Sequence, residues 1–206
     1  MAAGFPACDS GEMQFDAHTP VVLRPWRRDD APAVLEAFAT ADMAQQAGEP
    51  IVDLASAQRW LDWSCGKTSR ETGFVFAICA GDDVPVGNIA VTDIDGHDCG
   101  WVSYWVAERA RGCGVASDAL AAMVRWVHEH GGVYRLELGH RVNNPASGRV
   151  AGYAGFLSEG VEREKLCYGG ERFDVETHAR LASDPCPVPR REVVLVTGGR
   201  RVALSA

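Results

Sequence analysis

The run Tyr104–Trp105–Val106, then Arg111–Gly112–Cys113–Gly114–Val115–Ala116, then an apolar-periodic stretch to His130 constrains this chain more than any other segment. It reads as a strand, a glycine-rich loop and a helix, in that order. Ala116, Leu120, Met123, Val124 and Val127 recur at helical spacing, with Ser117, Asp118, Arg125 and Glu129 turned elsewhere. Gly131–Gly132 stop the helix. Such a loop can aim several backbone N–H groups at one point, backed by the positive end of the helix dipole, and so forms a binding site for phosphate groups. The plain alternative is a surface turn, because glycine pairs before helices are common.

At 206 residues the chain has the length of one domain with a real core. A composition of 47% hydrophobic and 23% charged residues is globular rather than disordered. The formal net charge of −8 argues against nucleic acid or an anionic membrane as the main partner and suits a cationic amine. Seven cysteines are dispersed, odd in number and without a CxxC pair. Several sit in apolar runs such as 74–79, which predicts small buried hydrophobes in a reducing compartment rather than disulfides or a zinc site. His128–Glu129–His130 lacks the HExxH spacing that sets two imidazoles on one helix face, so no metal is expected. The first residues carry no basic region followed by a long apolar core, and no apolar run reaches membrane-spanning length. The expected location is cytoplasmic.

Residues 1–18 are aperiodic and predict a loose arm, 19–184 a single domain, and 185–206 a C-terminal extension with a small hairpin. Val21–Trp26 reads as a first strand. Asp29 or Asp30 can cap a helix with Pro32 in its opening turn, and a second helix covers about Ser56–Cys65. Phe74–Cys79, Val86–Thr92 and Trp101–Val106 are joined by short turns, as in an antiparallel meander. The strand Tyr134–Val142 follows the glycine loop and its helix, which implies a parallel crossover. Asn144 is a candidate N-cap with Pro145 at the first position of a short helix to about Ala154. Glu164–Tyr168 and Arg172–Leu181 form a closing hairpin. The expected fold is a mixed α/β sheet, antiparallel at first, with one central parallel pair.

Three phosphate ligands fit the loop to different degrees. A P-loop needs Gly-Lys-Ser/Thr, and Gly114–Val115–Ala116 lacks the lysine. A dinucleotide site needs GxGxxG directly after a strand and several βαβ units; position 117 is serine, and the chain supplies one such unit. The third reading fits best. Arg-x-x-Gly-x-Ala at 111–116 resembles the pyrophosphate loop of the GNAT superfamily of acyl-CoA-dependent N-acyltransferases. Leu23–Arg24–Pro25 with Asp29–Asp30 resembles their opening segment, and Asn144–Pro145–Ala146–Ser147 followed by Arg149–Val150–Ala151 and Gly155–Phe156 their later CoA-contacting helix. Tyr168–Val175 resembles the closing hairpin of the subgroup that includes ribosomal-protein N-terminal-amine acetyltransferases. The ordered set covers about residues 20–184.

The resemblance implies that acyl-CoA lies in a gap between the Trp101–Val106 and Tyr134–Val142 strands. Its pantetheine arm would pair with the backbone near Trp105 and Val106. The amides from Gly112 through Cys113, Gly114 and Val115 to Ala116 would hold the pyrophosphate, with Arg111, Ser117 and Asn144 beside it. Acetyl-CoA is the expected acyl donor, the acceptor is a primary amine, and a homodimer is compatible with the family. Many relatives use a tyrosine four positions before the Gly-Phe pair as proton donor to the thiolate. Here that position is Ala151, Tyr153 is displaced by two, and Ser147 matches a serine with this role in the subgroup. Its other reading is a helix-start residue helping Asn144 satisfy free N–H groups. Trp101 stands where many relatives carry a glutamate base. Glu164 lies in the region where that subgroup places a catalytic glutamate, on the strand face of Leu166, which aligns with it. The resemblance makes it the candidate base, with a solvated surface glutamate as its other reading and Asp93, Asp95, His97, Asp174 and a water relay as alternatives. A non-catalytic acyl-CoA-binding module is the rival from another class.

Overall fold

The computed structural model describes residues 15, 16, 18–44 and 46–204. Ten strands form one mixed sheet flanked on both faces by helices. Its strands are β1 (Val21–Pro25), β2 (Thr68–Ser69), β3 (Gly73–Ala80), β4 (Pro85–Thr92), β5 (Cys99–Val106), β6 (Arg135–Arg141), β7 (Leu157–Tyr168), β8 (Glu171–Leu181), β9 (Val193–Thr197) and β10 (Arg200–Ala203). They lie in the order β10-β9-β1-β3-β4-β5-β6-β8-β7, with β2 on β3. The helices are α1 (Ala31–Ala37), α2 (Leu54–Ser64), α3 (Val115–Trp126) and α4 (Pro145–Tyr153).

The two-residue alternation of β3 divides the interior in two. Phe74, Phe76 and Ile78 join Leu120, Met123, Trp126 and Ala151, the core that α3 and α4 cover. Val75, Ala77 and Cys79 join Val34, Leu61, Trp26 and Trp105, the core under α1 and α2. Here Trp26, Trp60, Trp105 and Phe38 contact one another with centroids 5.0–6.0 Å apart. Trp105 is therefore a core anchor on β5 that fixes the strand edge forming the site.

Local chemistry sets the ends. Asp53 opens α2 as an N-cap, accepting from the Ser56 N–H at 2.7 Å, so the helix begins at Leu54, two residues before the predicted start. Asp30 precedes α1 but does not cap it with its side chain. Its carboxylate instead takes both Arg24 Nη groups at 2.8 Å and the Arg27 N–H. Arg24 also reaches Asp83 in the β3–β4 turn, and its own pKa is driven upward by these carboxylates against the opposing effect of burial. A buried guanidinium takes a bidentate partner in preference to leaving it to a helix end.

Three expectations are corrected. Beside the parallel pair β5–β6 there is a second, β1–β9, aligned Val21↔Val193 to Leu23↔Leu195. The apolar residues of β9 face the same core as those of β1. β7 is also much longer than the predicted closing strand, starting at Leu157, and is exposed along nearly its whole length. The cysteines are not uniformly buried: Cys79 is, with its thiol pushed up to about 12 by burial, whereas Cys167 and Cys186 are exposed. Of the predicted loose arm, residues 1–14 and 17 lie outside the described residues. Phe15 is buried, and the Asp16 side chain accepts from the N–H groups of His18 and Thr19 at 2.8 Å.

Candidate active site

β5 and β6 pair only from Cys99↔Arg135 to Trp101↔Glu137 and then part. Beyond that point β5 keeps its other neighbour, β4, as far as Val106↔Gly87. A cleft of about 580 Å³ opens at this parting, between the end of β5, the start of α3, the end of β6 and the first turns of α4. Trp105, Val106, Arg111, Gly112, Gly114, Val115, Ala116, Ser117, Asn144 and Ser147 all line it. Cys113 does not, and its carbonyl is turned to Arg191.

The loop owes its shape to two glycines, Gly112 at φ 76° and Gly114 at φ 80°, values that cost a side-chain-bearing residue about 1–2 kcal/mol. Gly114 is the N-cap of α3 and supplies no side chain to the helix end. The first N–H groups of α3 therefore lack intrahelical partners and carry the positive end of its dipole to the cleft. A Cβ on Gly112 would meet nothing within 4 Å, whereas one on Gly114 would lie 3.2 Å from an Arg191 Nη. Arg191, from the C-terminal extension, is the brace beneath the loop. Its Nε donates to Asp118 Oδ2 at 2.7 Å, one Nη donates to the Cys113 carbonyl, and the other reaches the carbonyls of Asp16 and Thr19. Arg111 turns back on its own strand, donating from Nε to the Val106 carbonyl at 2.9 Å and pairing with Asp42.

Across the cleft Asn144 caps α4, its Oδ1 accepting from the Ser147 N–H at 3.3 Å. The Ser147 hydroxyl accepts from Asn144 Nδ2 at 3.1 Å, so its own proton remains available to the cleft. The same bond holds the Asn144 side chain at the helix start, which is the other reading of Ser147. Tyr104 donates to the Ser147 carbonyl at 3.1 Å, and burial pushes its phenol up to about 12. Tyr153 lies elsewhere: its hydroxyl is within hydrogen-bond distance of Asp118 Oδ1 and the Val188 carbonyl. Glu164 is not brought to Ser147. It sits on exposed β7 and is absent from the cleft lining. The β7–β8 register slips between Glu162 and Leu166, and Glu164 takes φ 54°. The alternation that would have set it on the face of Leu166 is broken by this bulge. Asp95 is committed to its turn, accepting from the His97 and Cys99 N–H groups, and Asp174 accepts from the Glu164 N–H.

A family model described as an acetyltransferase (GNAT) domain matches residues 21–157. The chain belongs to the GNAT acetyltransferase family. A ribosomal-protein-serine acetyltransferase of Escherichia coli strain K12 is 32% identical over 80 residues, 39% of this chain and 45% of that protein. The chain thus matches less than half the length of that curated relative. Among solved structures, RimL, a ribosomal L7/L12 α-N-protein acetyltransferase in complex with coenzyme A, superposes with TM-score 0.69 at 22% identity, covering 79% of this chain and 94% of that one. A spermidine N-acetyltransferase SpeG chimera from Vibrio cholerae and hSSAT gives 0.67 at 16%, covering 79% and 96%. These two likenesses bear on the fold.

Arg149, in the segment that resembles the CoA-contacting helix, also lines the cleft of this GNAT chain, as do Tyr104, Asp42, Gln46 and Arg141, to which the sequence assigns no individual role. Tyr104 was legible as a strand residue whose alternation with the core residue Trp105 turns it to the α3 side. Asp42 and Gln46 come from a segment with no periodic signal. Arg191 is 73 positions from Asp118, and nothing local marks it.

Proposed function

We propose that this GNAT domain transfers an acetyl group from acetyl-CoA to a primary amine by direct attack. The observation that carries this reading is the uncapped start of α3 behind Gly112 and Gly114, open to the cleft where β5 and β6 part. The pyrophosphate would take the N–H groups of the loop, and the pantetheine would lie along the edge of β5 that β6 leaves near Trp105 and Val106, in place of Arg111 at the Val106 carbonyl. The amine nitrogen forms its bond to the thioester carbonyl carbon, the C–S bond breaks, and the thiolate takes a proton from Ser147. Ser147 recovers its proton from water. Among the described residues the cleft lining offers one carboxylate, Asp42, and Arg111 holds it. The amine proton therefore goes to water, or to Glu164 only where the acceptor extends beyond the cleft lining to the hairpin.

The names of the relatives support a primary amine as acceptor, either a protein N-terminus or a small polyamine. The net charge of −8 favours an acceptor that arrives as a cation. Release of CoA thiol from acetyl-CoA, measured against a panel of N-terminal peptides and small amines, tests the reading. Turnover with at least one amine is expected. Tight acetyl-CoA binding without thiol release on any amine would instead identify a non-catalytic acyl-CoA-binding module.

A further inference from the structure

Outside the cleft, on the α4 side of the sheet, three ligand-bearing side chains converge. His140 lies on β6; Glu176 stands directly opposite it on β8, and His178 two residues further along. Strand alternation places all three on one face. The two imidazole Nε2 atoms are 3.0 Å apart, and Glu176 Oε2 is 3.6 Å from one and 3.7 Å from the other. A point equidistant from three atoms so separated lies about 2.0 Å from each, the length of a zinc–imidazole or zinc–carboxylate bond.

The surroundings fit a metal as well as the distances do. His140 Nδ1 lies 3.0 Å from the Arg141 carbonyl. That nitrogen carries the hydrogen, which leaves Nε2 with a lone pair aimed at the common point. Ser158 donates to Glu176 Oε1 at 2.8 Å and so leaves Oε2 turned toward the imidazoles. Both are the outer contacts that orient metal ligands. The histidine side chains are 6% and 8% exposed and Glu176 is 32% exposed, which gives an ion a route from solvent along the carboxylate. Gly148 of α4 keeps one side of the cluster clear, since a Cβ there would stand 3.1 Å from His140 Nε2.

We propose that His140, His178 and Glu176 form a binding site for a divalent transition metal, with Zn²⁺ best matched to two imidazoles, one carboxylate and an open fourth position. The site would tie β6 to β8 beside Gly148 of α4, the residue after Ser147. It stands apart from the acetyl-transfer reading and does not depend on it. The rival is a plain hydrogen bond from His178 to His140, in which Glu176 takes no part.

Untagged protein carrying Cys167→Ser and Cys186→Ser, stripped by dialysis against a chelator, is titrated with Zn²⁺ by calorimetry. Co²⁺ then serves as a visible-absorption probe of the ligand set. One equivalent of Zn²⁺ is expected to bind, with a concentration-dependent rise in melting temperature. His178→Ala and Glu176→Gln should each weaken binding roughly tenfold or more, and the Co²⁺ spectrum should be that of nitrogen and oxygen ligands. Glu176 is partly exposed, so its variant reports even where loss of a buried histidine impairs folding. Failure of the folded protein to bind Zn²⁺ stoichiometrically, or binding left unchanged by both substitutions, would overturn the proposal in favour of the hydrogen bond alone.

Discussion

Replacing Arg191 by Met keeps most of the side-chain stem and removes the guanidinium that braces the phosphate loop. Arg191 and Asp118 are each 2% exposed. Asp118 Oδ1 would keep the Arg190 N–H at 2.7 Å and the Tyr153 hydroxyl at 3.1 Å, but Oδ2 would lose its partner at 2.7 Å. Breaking a buried ion pair from one side costs about 3–5 kcal/mol, because the remaining charge stays buried and uncompensated. For a chain of this length each kcal/mol moves the melting temperature by about 2–4 °C, so a fall on the order of 10 °C is expected. The Cys113, Asp16 and Thr19 carbonyls lose their donor as well, so acetyl-CoA affinity should fall in the protein that remains folded. Adding Asp118→Asn removes the stranded charge, and the double variant should recover part of the lost melting temperature but not the lost affinity. Calorimetric melting together with acetyl-CoA titration measures both. An Arg191→Met protein melting within about 2 °C of wild type, or a double variant no more stable than the single one, would refute the reasoning.

Gly114→Val places a β-branched side chain at φ 80° against Arg191; acetyl-CoA affinity should drop at least tenfold, and unchanged affinity in a folded protein by calorimetry would contradict the phosphate site. Ser147→Ala should lower kcat more than it raises the Kd for acetyl-CoA, while full turnover with lost stability would return Ser147 to a structural role. If Glu164 takes the amine proton, Glu164→Gln should slow turnover most near neutrality and recover at high pH, where the amine is already neutral; a pH–rate profile that overlays wild type assigns the step to water. Tyr104 is protonated in the folded state up to about pH 12, against about 10 when unfolded. Its contribution is thus complete below about pH 10 and is lost as pH rises toward 12. The stability difference between wild type and Tyr104→Phe should shrink across that interval in alkaline denaturation.

What was legible in the sequence is what is local. The helical spacing of Leu120, Met123 and Val124 and the two glycines before it fix α3 and its bare N-terminus without any tertiary information. Asn144–Pro145 likewise reads directly as a helix start. The failures are of two physical kinds. Strand alternation does not run through Glu164, where a bulge interrupts it, and a bulge leaves no mark in the pattern of apolar and polar residues. The other failures are long-range pairings: β9 beside β1, Arg191 on Asp118, and His140 with His178. A carboxylate at a helix start also has competing uses, so Asp30 reads as a cap until the buried Arg24 is seen beside it.

The pairing of β9 with β1 has a consequence for how this domain is made. The first strand of the sheet is completed by nearly the last one, and Arg191 reaches a backbone carbonyl 172 positions away at Thr19. Until that late segment leaves the ribosome, β1 presents an unpaired edge bearing Val21 and Leu23, and the loop before α3 has no brace. Closure across so long a separation is entropically slow. A nascent chain halted short of residue 193 would expose an adhesive strand edge, the kind of surface that chaperones cover and that seeds aggregation.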